Sequence, residues 1–491
     1  MVNPTPLLGQ KQDKDLQLEH YRLAGRPPLQ TIMFLSMGPM VSQVVGALYS
    51  IIDTIWVAKA CGDRGMAAVS TYNCFDNIGR SFGFFMCTAA STKTSQLFGQ
   101  RKESETRQLF SDLIRCSIIC SLIVPAILIP TVKHAARWFG ADEGLVQFGF
   151  EYISLLSYGS IGTCLFLCCG GFLQGEGRTH IFAIMELVSF VLNGLLFDPV
   201  LLLVGKLGVR GAALSTVLSE LFPAFMLLGW YYKGAFAVKP QLGDLFKKFS
   251  PHTFPALKVG FSQLITNLSY FVPTIVVRKL LGLSLPKDQF DDGFAGYNVT
   301  IRFQYLTNAV FIAINQGVIP AASYSHGANK HSRWLKLIGH AFWINFLWGS
   351  LTTVLTWTIP RELSMMFSSS DGYLKWAGPM MRFRNALGCF AFGRFNCQAI
   401  LQSFQKGGLA TILSILSQFL AITCFSLLMY YVKKDDAVHL MWCYPLTDSF
   451  GLICGLAFCS TTLYKAFKFA KSEPKDDGES SANVSQAATQ V

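Results

Sequence analysis

The short list of acidic residues set inside long apolar stretches of this 491-residue chain is Asp53, Asp76, Glu186, Asp198, Glu220 and Asp448. A carboxylate placed in a lipid-spanning segment is expensive, by roughly 3 kcal/mol on insertion scales, and its default reading is functional. Burial disfavours the charged form, so that protonation becomes a switch. Another apolar stretch carries Arg382, Arg384 and Arg394. These either snorkel and pair with acids of the bundle, or give a cavity a partly cationic wall that favours anionic or zwitterionic ligands. No nucleophile, base and oxyanion donors converge at one depth, so enzyme chemistry is not expected. The phosphate-binding pattern G-x-x-x-x-G-K-[ST] is absent, as is a polar segment able to hold a nucleotide domain. No cofactor or metal is expected, and any transport must draw on an ion gradient or run downhill.

The elements that position these residues are long apolar segments. Hydrophobic residues make up 51% of the chain and charged residues 14%, against about 25% charged in a soluble domain. The net charge of +12 suits anionic lipid headgroups better than nucleic acid, because the basic residues sit mainly in short segments between apolar runs. Twelve runs reach the roughly 20 residues a spanning helix needs: 31–58, 66–96, 109–132, 147–171, 180–204, 208–231, 253–281, 294–322, 335–358, 376–401, 408–432 and 437–464. The expected organisation is an N-terminal arm (1–30), a first lobe (31–231), a linker (232–252), a second lobe (253–464) and a disordered tail (465–491). With the N-terminus cytoplasmic, the inner segments hold more Lys and Arg than the outer loops. The positive-inside rule therefore places both termini in the cytoplasm. The expected protein is a monomeric multi-pass protein of the plasma membrane.

The two lobes repeat one another. Ser42-Gln43 matches Ser262-Gln263, and Thr54-Ile55 matches Thr274-Ile275, both at an offset of 220. Ser95 and Gly99 match Ser323 and Gly327, and Leu173-Gln174 matches Leu401-Gln402, at an offset of 228. An insertion around Leu283–Asp292 explains the change. Six spans per lobe is an even number, so the lobes run parallel, an arrangement found among secondary transporters.

Depth narrows the acids. Asp53 lies about five residues, roughly 8 Å, below the outer end of the first span. Asp198, Thr216 and Tyr152 reach a similar depth from the fifth, sixth and fourth spans, and Asn193 lies a little deeper. The offsets put Pro273 opposite Asp53 and Ser426 opposite Asp198, so the scaffold is duplicated and the acids are not. Bland alternatives stand beside each: Asp53 pairing with Lys59, Asp198 capping the segment after it, Thr216 bonding its own backbone, Tyr152 anchoring at the interface. Glu220 and Asp448 are equivalent under the 228 offset, which favours structural pairing.

Several segments resemble one transporter family. Ala47-Leu48-Tyr49-Ser50-Ile51-Ile52-Asp53-Thr54-Ile55-Trp56-Val57 looks like the first helix of multidrug and toxic compound extrusion (MATE) transporters. Ala67-Ala68-Val69, Ser95-Gln96-Leu97-Phe98-Gly99, Leu173-Gln174-Gly175-Glu176-Gly177, Asn193 to Asp198-Pro199, and Gly208 to Thr216 are similar to later stretches. The resemblance implies an all-α integral membrane fold with twelve helices in two parallel six-helix bundles, V-shaped and working by alternating access. It implies export of diverse organic compounds in exchange for H+ or Na+, and an ion-coupling site at Asp53, Asn193, Asp198 and Thr216, with Tyr152 by spacing. The sequence departs from the family in two ways. Asn193 and Asp198 are five apart instead of four, which turns Asn193 aside unless a bulge realigns it. The acids some members carry in helices 7 and 10 are absent, and helix 10 has arginines. Arg382, Arg384, Arg394 and Glu220 are the candidates for a substrate cavity. A lipid-linked saccharide flippase of the same superfamily is the alternative, motivated by those arginines, since phosphate-bearing lipids need basic partners.

Overall fold

A computed structural model describes residues 17–138, 143–368 and 370–473. The regular elements in these ranges are all helices, as lipid requires: a helix satisfies its backbone hydrogen bonds within one segment. Pro28–Gly99 forms two arms, here α1 (28–61) and α2 (63–99), joined at one non-helical residue, Gly62, with φ 64°. The sequence suggested a loop over 59–65. Glycine tolerates a positive φ, so a single residue suffices. The chain continues through α3 (Glu103–Trp138), α4 (Glu143–Gly175), α5 (Thr179–Val204) and α6 (Val209–Tyr232). After the linker come α7 (Thr253–Ser284), α8 (Phe290–Gly327), α9 (His331–Thr358), α10 in two pieces (Asp371–Arg384 and Phe392–Ser403), α11 (Gly407–Val432) and α12 (Cys443–Ser472).

Among the described residues, nine helical segments are long and apolar enough to cross a membrane on length and composition alone. The remaining three of the twelve are α2, α9 and α10, which carry more polar residues or are broken. The described cysteines are free.

The repeat is visible in the backbone as well as in the letters. Arg101 and Asn329 both take a positive φ, as do Gly177 and Gln405. Each pair is separated by the 228 offset, so the same left-handed turn ends the corresponding helix in each half.

The halves meet most closely near the end that carries the described termini. A Cβ on Gly99 would come within 2.1 Å of the Tyr324 carbonyl oxygen, and one on Gly327 within 2.2 Å of the Gln96 carbonyl oxygen. The repeat-related glycines thus let α2 and α8 cross backbone to backbone. A strap ahead of α1 bridges the same seam. Glu19 accepts from Arg178 at 2.8 Å, while His20 contacts Glu103 at 3.1 Å and the Tyr324 hydroxyl at 2.8 Å. Arg333 of α9 donates to Thr31 Oγ1 at 3.0 Å. The linker is tied to α3: Asp244 accepts from Arg107 Nε at 2.5 Å, and Asp112 accepts from the Ser250 backbone N–H and from the Thr253 hydroxyl, both at 2.6 Å. α12 runs on to Ser472. The rest of the expected tail (474–491) and residues 1–16 of the arm lie outside the described residues.

Candidate functional site

The five-residue spacing of Asn193 and Asp198 has a local solution. α5 is α-helical to Val191 and then π-helical over Leu192–Phe197 and Pro199–Val204. The Asp198 backbone N–H donates to the Asn193 carbonyl, an i to i+5 bond. That wider turn brings residues five apart near one face. Pro199 has no N–H to offer the ladder, which favours the opening there. Trp56 of α1 donates its indole N–H to the Gly194 carbonyl at 2.9 Å, fastening α1 to the bulged stretch of α5.

Three helices converge at this bulge. Asn193 Nδ2 donates to Ser215 Oγ at 3.1 Å, and Ser215 donates to Asp198 Oδ1. Ser215 Oγ also lies 2.8 Å from the Ala212 carbonyl. A hydroxyl has one proton, so it serves the carboxylate or the backbone, not both. The other Asp198 oxygen, Oδ2, and Asp53 Oδ1 are buried with no hydrogen-bond partner among the described residues. Asp198 and Asp76 lie within electrostatic reach of Asp53, and Tyr152 is buried within reach of all three. Of the bland alternatives, Asp198 precedes the Pro199 segment without capping it by its side chain. Lys59 sits over the Trp56 ring, 5.0 Å from its centroid, and makes no ion pair with Asp53 among the described residues.

Thr216 does not join this chain. Its hydroxyl bonds the Ala212 carbonyl at 3.1 Å, the backbone alternative the sequence left open. Its side chain instead lines a neighbouring cleft with Asp76, Arg80 and Glu220. There Arg80 Nη1 donates to Glu220 Oε1 at 2.7 Å, and Thr163 donates to the other Glu220 oxygen. Sequence reasoning missed Ser215 and Arg80. Ser215 stood one position from Thr216 in the same motif, and helical depth alone cannot choose between neighbours. Arg80 follows Asp76 by one helical turn, a spacing that was there to be read.

In the second lobe the three arginines part company. Arg394 Nη1 donates to Asp448 at 2.8 Å, inside the bundle. Glu220 and Asp448, equivalent by the repeat, therefore each hold an arginine, half-buried Arg80 from α2 in one half and buried Arg394 from α10 in the other. Arg382 is exposed, with its guanidinium 5.9 Å from the Trp357 ring. Arg384 is buried and stacks 3.5 Å from the Tyr444 ring centroid.

Comparison with known proteins agrees with this architecture. A family model described as MatE matches residues 39–200 and 259–426, two blocks that begin 220 residues apart like the repeat itself. The chain is 22% identical over 419 residues to "Multidrug export protein MepA" of Staphylococcus aureus strain N315, covering 82% of this chain and 87% of that protein. For its counterpart in S. aureus strain bovine RF122 / ET3-1 the identity is 21% over 462 residues, covering 90% and 95%. Among solved structures, an "outward-facing conformation of a multidrug resistance MATE family transporter of the MOP superfamily" aligns with TM-score 0.81 and 18% identity, covering 91% of this chain and 98% of that one. A MOP superfamily transporter from Pyrococcus furiosus, described by a "reverse polarity of binding pocket", aligns with TM-score 0.80 and 17% identity over 93% and 98%. The matched blocks span most of the chain in both lobes, and the protein is a member of the MATE family of membrane transporters.

Proposed function

We propose that this protein exports organic compounds across the plasma membrane by ion-coupled antiport, with both termini cytoplasmic and H+ or Na+ entering from outside. The observation that carries this reading is the pair Asp53 and Asp198, each with a buried oxygen lacking a hydrogen-bond partner among the described residues, on helices joined by the Trp56–Gly194 bond. Such oxygens are places for a proton or a cation. Asn193, Ser215 and Tyr152 complete the site, and Thr216 lines the adjoining cleft.

The mechanism follows from one hydroxyl proton. While Asp198 is charged, Ser215 donates to it and Asn193 supports Ser215 from behind. When a proton or cation neutralises Asp198, Ser215 turns to the Ala212 carbonyl. The π-helical turn loses a constraint and α5 is free to shift against α1. A change in that packing alters the cavity of the first lobe, substrate leaves outward, and the ion is released inside after the lobes switch. The crossing of α2 and α8 at Gly99 and Gly327 is then the cytoplasmic closure.

The flippase alternative needs a group of arginines free to grip phosphate. Arg394 pairs with Asp448 and Arg382 is exposed beside the Trp357 ring, which leaves Arg384 as the one of the three that is buried without an ion pair among the described residues. A single guanidinium is not such a group, which favours export of organic compounds. The test is gradient-driven efflux of a cationic dye from cells or vesicles carrying Asp53→Asn or Asp198→Asn. Coupling at this pair requires both variants to lose gradient-driven efflux; full efflux in both overturns the assignment.

A further inference from the structure

α10 breaks between Arg384 and Phe392, and α7 breaks at Ser269–Tyr270. Discontinuous membrane helices commonly mark binding sites. Here the two breaks bring together Tyr270, Arg384, Arg394 and Asp448. The Arg394 guanidinium lies 5.6 Å from the Tyr270 ring centroid and pairs with Asp448. Arg384 lies within electrostatic reach of both Asp448 and Tyr270.

The charges do not balance. Arg394 and Asp448 neutralise one another. Arg384 is only 9% exposed, and its Nε and Nη1 have no hydrogen-bond partner among the described residues. It makes no ion pair among the described residues. Arg394 Nε and the Tyr270 hydroxyl are buried too, with no hydrogen-bond partner among the described residues. The Tyr444 face and the carbonyl end of the first α10 piece temper the charge on Arg384, but neither accepts its N–H bonds in its plane. A buried guanidinium with open donors calls for an anion.

We propose that the interior of the second lobe holds a single monovalent anion between Arg384, Arg394 Nε and the Tyr270 hydroxyl. It is either a free halide or the carboxylate head of a transported compound. The donor atoms are enclosed, so the anionic group is small. This deepens the transport reading, because an anion in one lobe opposite a cation in the other widens the substrate range to zwitterions and organic anions.

The experiment is thermal unfolding of the purified full-length protein at fixed ionic strength, with potassium isethionate replaced stepwise by potassium chloride or by potassium benzoate. Ligand that binds only the folded state raises the midpoint saturably. Wild type is expected to show such a rise with at least one of the two anions. Chloride alone identifies the halide, and benzoate alone the carboxylate head. Arg384→Gln is expected to weaken the apparent affinity roughly ten- to hundred-fold, the scale of one charge-assisted hydrogen bond. Arg384→Lys is expected to retain part of the effect, and Arg382→Gln all of it. Arg384→Gln itself removes an unpaired charge, so its midpoint without anion is expected to equal or exceed that of wild type. The proposal is overturned if wild type responds to neither anion, or if Arg384→Gln responds as wild type does. No ion gradient is involved, so a failure of antiport coupling and a failure of this site are read separately.

Discussion

Adding one methyl group to Gly99 is expected to hold the transporter open at the end where α2 and α8 cross. The Cβ would sit 2.1 Å from the Tyr324 carbonyl oxygen and 2.8 Å from the Ala328 nitrogen. Both are backbone atoms of α8 and its cap, which cannot rotate away as a side chain tip would. Relief requires the two helices to separate. Overpacking of this kind costs about 1–3 kcal/mol, equivalent to a roughly 5- to 150-fold change in the ratio of closed to open states. Gly99→Val is expected to go further. Gly327→Ala is expected to behave like Gly99→Ala, because its Cβ would meet the Gln96 carbonyl oxygen from the other side. The two effects will not add, since they relieve one crossing. The assay is pulsed electron resonance between spin labels at Lys102 and Asn329, both exposed beside the crossing, in a background without other reactive cysteines. The expected result is a longer distance population in each variant, together with slower transport. An unchanged distance distribution in both Gly99→Ala and Gly99→Val would show that this crossing does not define the closed state.

Other expectations follow from the side-chain contacts. Asp448→Ala strands Arg394 in the bundle and is expected to destabilise the protein by about 3–5 kcal/mol, whereas an apolar double replacement of both partners is nearly neutral; thermal unfolding of the single and double variants measures the contrast. Ser215→Ala is expected to impair coupled efflux more than Thr216→Val, since only Ser215 touches Asp198; equal effects would count against the hydroxyl relay. Arg107 holds the Asp244 carboxyl well below its ordinary range, mainly through their hydrogen bond. A depressed folded-state value means the clamp's contribution is present above the unfolded value and lost only as pH falls through the folded one. The linker is therefore expected to resist proteolysis at neutral and mildly acidic pH, and Arg107→Ala is expected to move the onset of cleavage to higher pH.

Hydropathy and the two offsets read from the sequence carry most of the architecture, because a lipid-spanning helix is set by composition over about 20 residues and the repeat preserves turn positions such as Arg101 and Asn329. Depth counting also brought Asp53, Asp198 and Tyr152 to one level. Three features lay beyond it. The π-helical turn depends on competing backbone bonds around Pro199, so spacing alone pointed Asn193 away from Asp198. The turn at Gly62 replaces an expected loop, because one glycine can adopt a φ that other residues resist. The fates of Arg382, Arg384 and Arg394 depend on breaks in α7 and α10. Three arginines on one helix looked alike in sequence, and only the packing separates the exposed, the unpaired and the paired one.

The most direct test of the central claim is ion flux driven by substrate. Inside-out vesicles are loaded with an imposed proton or sodium gradient, and an ion-sensitive dye is followed as an organic cation is added. The account predicts that substrate dissipates one of the two gradients in wild type and neither in Asp53→Asn. Dissipation of the same size in Asp53→Asn, or none in wild type with either ion, would contradict coupling at this site.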